Sequence, residues 1–70
     1  MIRNEIRRLR FENGEMTQQE LAEKIGVTRQ TINAIEQGKY SPTLEAAFRI
    51  SAVFGKPLES VFHYSRVENG

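Results

Sequence analysis

The segment from Arg29 to Gln37 carries the side chains best suited to chemistry, and that chemistry is hydrogen bonding rather than catalysis. Placed on a helix at about 100° per residue, Ile32 and Ile35 fall on one side with Thr31 and Glu36 beside them. The opposite side shows Arg29, Gln30, Asn33, Ala34 and Gln37. A helix that merely faces water favours Glu and Lys, which are strong helix formers and pair at i,i+4. This face holds one arginine and three carboxamides instead. Arginine is bidentate to guanine, Asn and Gln are bidentate to adenine, and alanine can meet a thymine methyl, so the face matches base edges in a major groove. The absence of acidic residues lets it approach phosphates. A polar face selected only for solubility is the alternative. What favours base reading is the capped, glycine-terminated helix that precedes it.

Other residues support smaller expectations. Gln18 lies at the start of that preceding helix, where backbone N–H groups and the dipole favour a phosphate, although it also suits a plain helix start. Lys39 and Tyr40 follow the reading helix and are placed to clamp the next phosphates, while Tyr40 equally suits packing. Arg10 and Glu36 both sit at the edge of apolar stripes, which points to a structural ion pair rather than a DNA contact. Phe11 falls off its helix's stripe and reads as a satellite contact or a partner surface. His63 reads as a surface or partly buried residue, not a ligand. With no cysteine and this single histidine, no Cys/His zinc site can form. No Ser/His/Asp set, carboxylate pair or phosphate-cradling glycine loop can be assembled, so neither an enzyme nor a cofactor is expected. No small-molecule site is evident.

Elements that could position these residues are marked by glycine and proline, which cut the chain at Gly14, Gly26, Gly38, Pro42, Gly55 and Pro57. Between the cuts, apolar residues recur at helical spacing. Ile2, Ile6 and Leu9 form one stripe, Leu21, Ala22 and Ile25 a second, Ile32 and Ile35 a third. The piece from Leu44 to Phe54 is apolar over most of its circumference, and Leu58, Val61 and Phe62 make a short fifth. Thr17 with Glu20 reads as a capping box. Thr28 suits the N-cap of the third helix, and Thr43 or Ser41 that of the fourth. The turn Gly26-Val27 is short enough to make the second and third helices cross steeply. The predicted fold is all-α, five short helices in one domain spanning residues 1–70, with the helix-turn-helix at about 17–37. A strand over His63 to Val67, paired with Ile2-Arg3, is a further expectation.

At 70 residues the chain has one modest core and needs a supplement to fold robustly. Lacking disulfides and metal, it is left with helix packing and a second subunit. Ten basic and nine acidic residues give a net charge of +1, which permits DNA binding without arguing for it. The distribution is uneven: residues 12–23 hold Glu12, Glu15, Glu20 and Glu23 and no base, while Arg3, Arg7, Arg8 and Arg10 crowd the first ten positions. No apolar run suits a membrane span or a signal peptide, so a cytoplasmic protein is expected.

The stretch TQQELAEKIGVTRQTINAIEQGKYSPTLEAAFRISAVFGKPLESVF resembles the Cro/cI-type, or XRE, helix-turn-helix family. T-Q-x-E-L-A, the G-V-T turn, R-Q-T-I-N-x-I-E-x-G-K and S-P-T-L carry the likeness, which extends over nearly the whole chain. The resemblance implies a lambda-repressor-like fold and a transcriptional regulator. It implies that Gln18 touches the DNA backbone and supports the reading helix. Thr28, Arg29, Gln30 and Asn33 would reach phosphates and base edges, Lys39 a phosphate, and Arg10 with Glu36 would form a buried pair. One departure is visible. The turn from Glu12 to Met16 is one residue longer than the family's usual spacing, and the Arg10–Glu36 geometry is what it bears on.

Family members usually bind palindromic operators as dimers and repress. A dimer here would place half-sites about 10 bp apart, centre to centre, with the helix at 28–37 in each major groove. Its expected surface is the C-terminal region 54–67, through Phe54, Leu58, Val61, Phe62 and Tyr64 with parts of the fourth helix, although some of these must complete the monomer core. An antitoxin-type or purely protein-binding module is the alternative, for which only about Arg66 to Gly70 could serve as a toxin-binding tail.

Overall fold

Three threonines open the three central helices of the computed structural model, which describes residues 2–64. The order is β1 (Ile2–Asn4), α1 (Ile6–Glu12), α2 (Gln18–Ile25), α3 (Arg29–Glu36), α4 (Leu44–Phe54), α5 (Leu58–Val61) and β2 (Phe62–Tyr64). Each threonine adopts an extended backbone, and its hydroxyl accepts the N–H three residues on: Glu20 for Thr17, Thr31 for Thr28, Ala46 for Thr43. Thr17 forms the full capping box, its own N–H donating to Glu20 Oε1 at 2.8 Å. Thr43 rather than Ser41 caps α4.

The inward stripes meet in one core of Ile6, Leu9, Leu21, Ala22, Ile25, Ile32, Ile35, Ile50, Phe54 and Val61. Met16, Val27, Val53 and Phe62 pack against its edge. Two positions expected at a dimer surface therefore belong to the monomer interior. Phe54 is only 7% exposed and Val61 not at all. The reason is helical phase: Ala47, Ile50, Ser51 and Phe54 share the inner face of α4, and the single turn of α5 aims Val61 at the same centre. Leu58 and Phe62 are half-buried, and Tyr64 is exposed. The surplus apolar surface of α4 lies on its outer face, where Leu44 and Phe48 are exposed.

The short terminal strands pair antiparallel, with Ile2 opposite Tyr64, Arg3 opposite His63 and Asn4 opposite Phe62. The strand thus starts one residue before the predicted stretch, and Ser65 to Val67 lie outside the described residues, as does the tail to Gly70. The long turn after α1 absorbs its extra residue with two successive left-handed residues, Gly14 at φ 76° and Glu15 at φ 56°. Asn13 N and Met16 N both donate to the Arg10 carbonyl, at 3.1 and 2.9 Å. Met16 thereby still reaches the core. No helix among the described residues is long and apolar enough to cross a membrane.

Candidate nucleic-acid interface

The turn between α2 and α3 is closed by Gly26, left-handed at φ 79°, where a side chain would be strained. Gly26 N and Val27 N both donate to the Ala22 carbonyl, at 2.8 and 3.0 Å, and Thr28 then starts α3. Ile32 and Ile35 anchor α3 from beneath. Its outer side is consequently fixed in direction by packing, not by its own short length.

Arg29, Gln30 and Gln37 are exposed on that outer side, whereas Asn33 and Ala34 are half-buried. Thr28 is exposed, its hydroxyl engaged with Thr31 N and with Thr31 Oγ1 at 3.0 Å. Lys39 is exposed just beyond the helix, with its backbone N–H on the Ala34 carbonyl at 2.9 Å. Tyr40 stands away from this side: it lines a groove with Ile2, Pro42 and Phe62.

A hydrogen-bond network ties the polar face to α1 and α2. Gln18 Nε2 donates to Asn33 Oδ1 at 3.2 Å and to Glu36 Oε1 at 3.1 Å. Gln37 Nε2 donates to the same Asn33 oxygen at 3.3 Å. Asn33 Oδ1 thus has both lone pairs engaged, and its two amide protons remain for a ligand. Arg10 donates to Glu36 through Nε at 2.6 Å and Nη2 at 3.1 Å, and through Nη1 to the Met16 carbonyl at 2.8 Å. The pair is largely desolvated, Arg10 being 15% and Glu36 8% exposed at the side chain. One guanidinium therefore joins α1, the long turn and the end of α3. The extra turn residue does not prevent the pair: Gly14 and Glu15 take it up in left-handed conformations, and Arg10 binds Glu36 and the Met16 carbonyl together.

Two residues with a bearing on this site escape the sequence reading. Asn4 Nδ2 donates to the Ile35 carbonyl at 2.9 Å, pinning the last turn of α3 to β1, while its Oδ1 accepts Ile6 N at 3.1 Å. An asparagine two residues before the first buried position of α1 is a capping signal, but nothing local reveals its hold on α3. Arg7 lines a groove with Arg10, Gln18, Asn33 and Gln37. Its place one turn before Arg10 on the same helix was the available sign.

The chain matches the helix-turn-helix family model over residues 6–61. It is 45% identical over 67 residues to an uncharacterized HTH-type transcriptional regulator of Archaeoglobus fulgidus, covering 96% of this chain and 94% of the relative. A similarly named protein of Methanocaldococcus jannaschii is 55% identical over 49 residues, 70% of this chain and 74% of its own length. The cryptic phage CTXphi transcriptional repressor RstR of Vibrio cholerae is 38% identical over 58 residues, 83% of this chain and 51% of the repressor. Helix order, capped turn and sequence agree, and the chain belongs to the XRE-type helix-turn-helix family.

Proposed function

We propose that this chain is a sequence-specific double-stranded-DNA-binding transcriptional repressor, acting in the cytoplasm as a homodimer on a palindromic operator. The observation that carries the proposal is the acid-free outer face of α3, held by Arg10, Gln18 and Glu36 while Arg29, Gln30 and Gln37 remain exposed. Arg29 and Gln30 take base edges at the N-terminal end of the helix, and Asn33 offers its amide protons beside them. Thr28, Lys39 and the backbone N–H of Gln18 at the start of α2 meet the flanking phosphates. Gln37 serves as a contact in its own right or by releasing Asn33.

The dimer surface combines the exposed Leu44 and Phe48 of α4 with Leu58, Phe62 and Tyr64. Apolar side chains left outside so small a core support a partner of the same kind. Repression is supported by the relationship to a phage repressor, and follows from a dimer that occupies a promoter. The experiment is selection of duplexes from a random library, the wild type beside Arg29→Ala/Gln30→Ala. An enriched palindrome with half-sites about one helical turn apart, lost in the variant, is the expected result. Weak salt-sensitive binding shared by both proteins would sink the proposal and leave a protein-binding module as the reading.

A further inference from the structure

Phe11 and Arg7 remain without a role in the network above, and they face one cavity. A surface groove of about 440 Å³ runs between α1 and the starts of α2 and α3, lined by Arg7, Phe11, Glu15, Gln18, Gln19 and Arg29 among others. Phe11 is 63% exposed, an unusual place for a large apolar ring on a helix that buries Ile6 and Leu9 on its other side. The arginines of α1 divide in use. Arg8 is paired with Glu5 and Glu12, and Arg10 with Glu36. Among the described residues Arg7 and Arg29 make no ion pair, although both are exposed in the same lining. Glu15 is the single carboxylate in that lining, so the free charge there is positive.

Arg7 and Gln18 also line the neighbouring groove that Asn33 and Gln37 border. The two grooves thus join the base-reading face to α1 without a break. A duplex whose major groove holds α3 has a sugar–phosphate ridge along each side of that groove. We propose that this ridge enters the Arg7–Phe11 groove, the phosphate held by the guanidinium of Arg7 and the deoxyribose packed on the Phe11 ring. This extends the recognised surface from the helix-turn-helix onto α1, and it rests on the DNA-binding reading given above. Arg7 supplies affinity and register without reading sequence. An exposed guanidinium that makes no ion pair among the described residues suits a phosphate, and an exposed aromatic ring in the same lining suits the apolar face of a sugar.

The test uses the full chain and the duplex recovered by selection, with affinity measured by fluorescence anisotropy between 0.05 and 0.3 M KCl, salt concentrations over which counterion release is read as a slope. Each neutralised phosphate contributes about 0.9 to the slope of log K against log salt. Arg7→Ala is therefore expected to bind about eight-fold more weakly per half-site at about 0.1 M salt, with the slope shallower by about 0.9 per half-site. Its preferred sequence stays the same, and Arg7→Lys keeps the slope. Phe11→Ala weakens binding at every salt concentration and leaves the slope unchanged. A duplex carrying one uncharged methylphosphonate in each half-site supplies the positional readout: at one position the substitution weakens the wild type and leaves Arg7→Ala unaffected. Both side chains are exposed, so neither substitution empties the core. Unchanged affinity and slope in Arg7→Ala, with Arg29→Ala impaired, would overturn this inference while leaving the DNA-binding reading standing. Failure of the wild type to recover any duplex would overturn both.

Discussion

Glu36→Gln removes the charge at the centre of the network and keeps the shape of the side chain. Glu36 accepts from Arg10 at 2.6 and 3.1 Å and from Gln18 at 3.1 Å, and only 8% of its side chain is exposed. A glutamine retains one neutral acceptor and turns an NH2 group towards a guanidinium that can only donate. Arg10 then keeps the Met16 carbonyl and one amide oxygen in place of two carboxylate oxygens. Breaking a buried ion pair from one side costs about 3–5 kcal/mol. The 15% exposure of Arg10 and the surviving acceptor reduce this to about 2–3 kcal/mol. Total stability for a chain of this size is about 4–10 kcal/mol, so the loss is a large share of it. It corresponds to a fall of about 10–20 °C in melting temperature. The assay is urea unfolding followed by circular dichroism at one fixed protein concentration, since a dimer's stability varies with concentration. Arg10→Met/Glu36→Leu, measured alongside, is expected to recover most of the loss, because an apolar pair leaves no unmatched charge. A loss below about 0.5 kcal/mol for Glu36→Gln, the size of an exposed ion pair, would refute the reasoning.

Glu15→Gly relieves a left-handed residue at φ 56° and should stabilise the protein by about 0.5–1 kcal/mol, read as a higher urea midpoint at unchanged slope. Phe54→Ala should cost about 3–5 kcal/mol because it opens the core. Tyr64→Ala, by contrast, should leave unfolding of the monomer within about 0.5 kcal/mol, and the same urea series compares the two directly. Leu44→Glu/Phe48→Glu should yield a folded monomer by sedimentation equilibrium; a dimer that persists would move the interface off α4.

Much of this architecture was legible because its determinants are local. Three threonines, each three residues ahead of the N–H it caps, fix the starts of α2, α3 and α4, and Gly26 fixes the turn between the motif helices. Residue spacing alone likewise separated Ile32 and Ile35 from Arg29, Gln30 and Gln37. What was not legible depends on which element covers which. An apolar stripe says that a face is covered, not whether the cover is the same chain or a second one. For Phe54 and Val61 the spacing therefore suits a partner surface as well as the monomer core, and it is α4 and α5 that turn them inward. Asn33 is similar. Its position on the outer half of α3 follows from spacing, but the capture of its oxygen by Gln18, 15 residues earlier, does not.

These long-range ties bear on how so short a helix would read DNA in the proposed role. Eight residues are too few to hold a helix by propensity alone, and a mobile reading helix would lose affinity to its own ordering on binding. Here α3 is held at three points by three different elements. Gln18 of α2 grips Asn33 and Glu36, Arg10 of α1 grips Glu36, and Asn4 of β1 grips the Ile35 carbonyl. The third tie gives the small strand pair a purpose beyond closing the chain. Asn4 sits opposite Phe62 in that pair, so the C-terminal strand holds in place the residue that fixes the end of the reading helix. In a dimer built partly on Phe62 and Tyr64, association and the aim of α3 would then share one short piece of backbone, and loosening the strands would weaken both together.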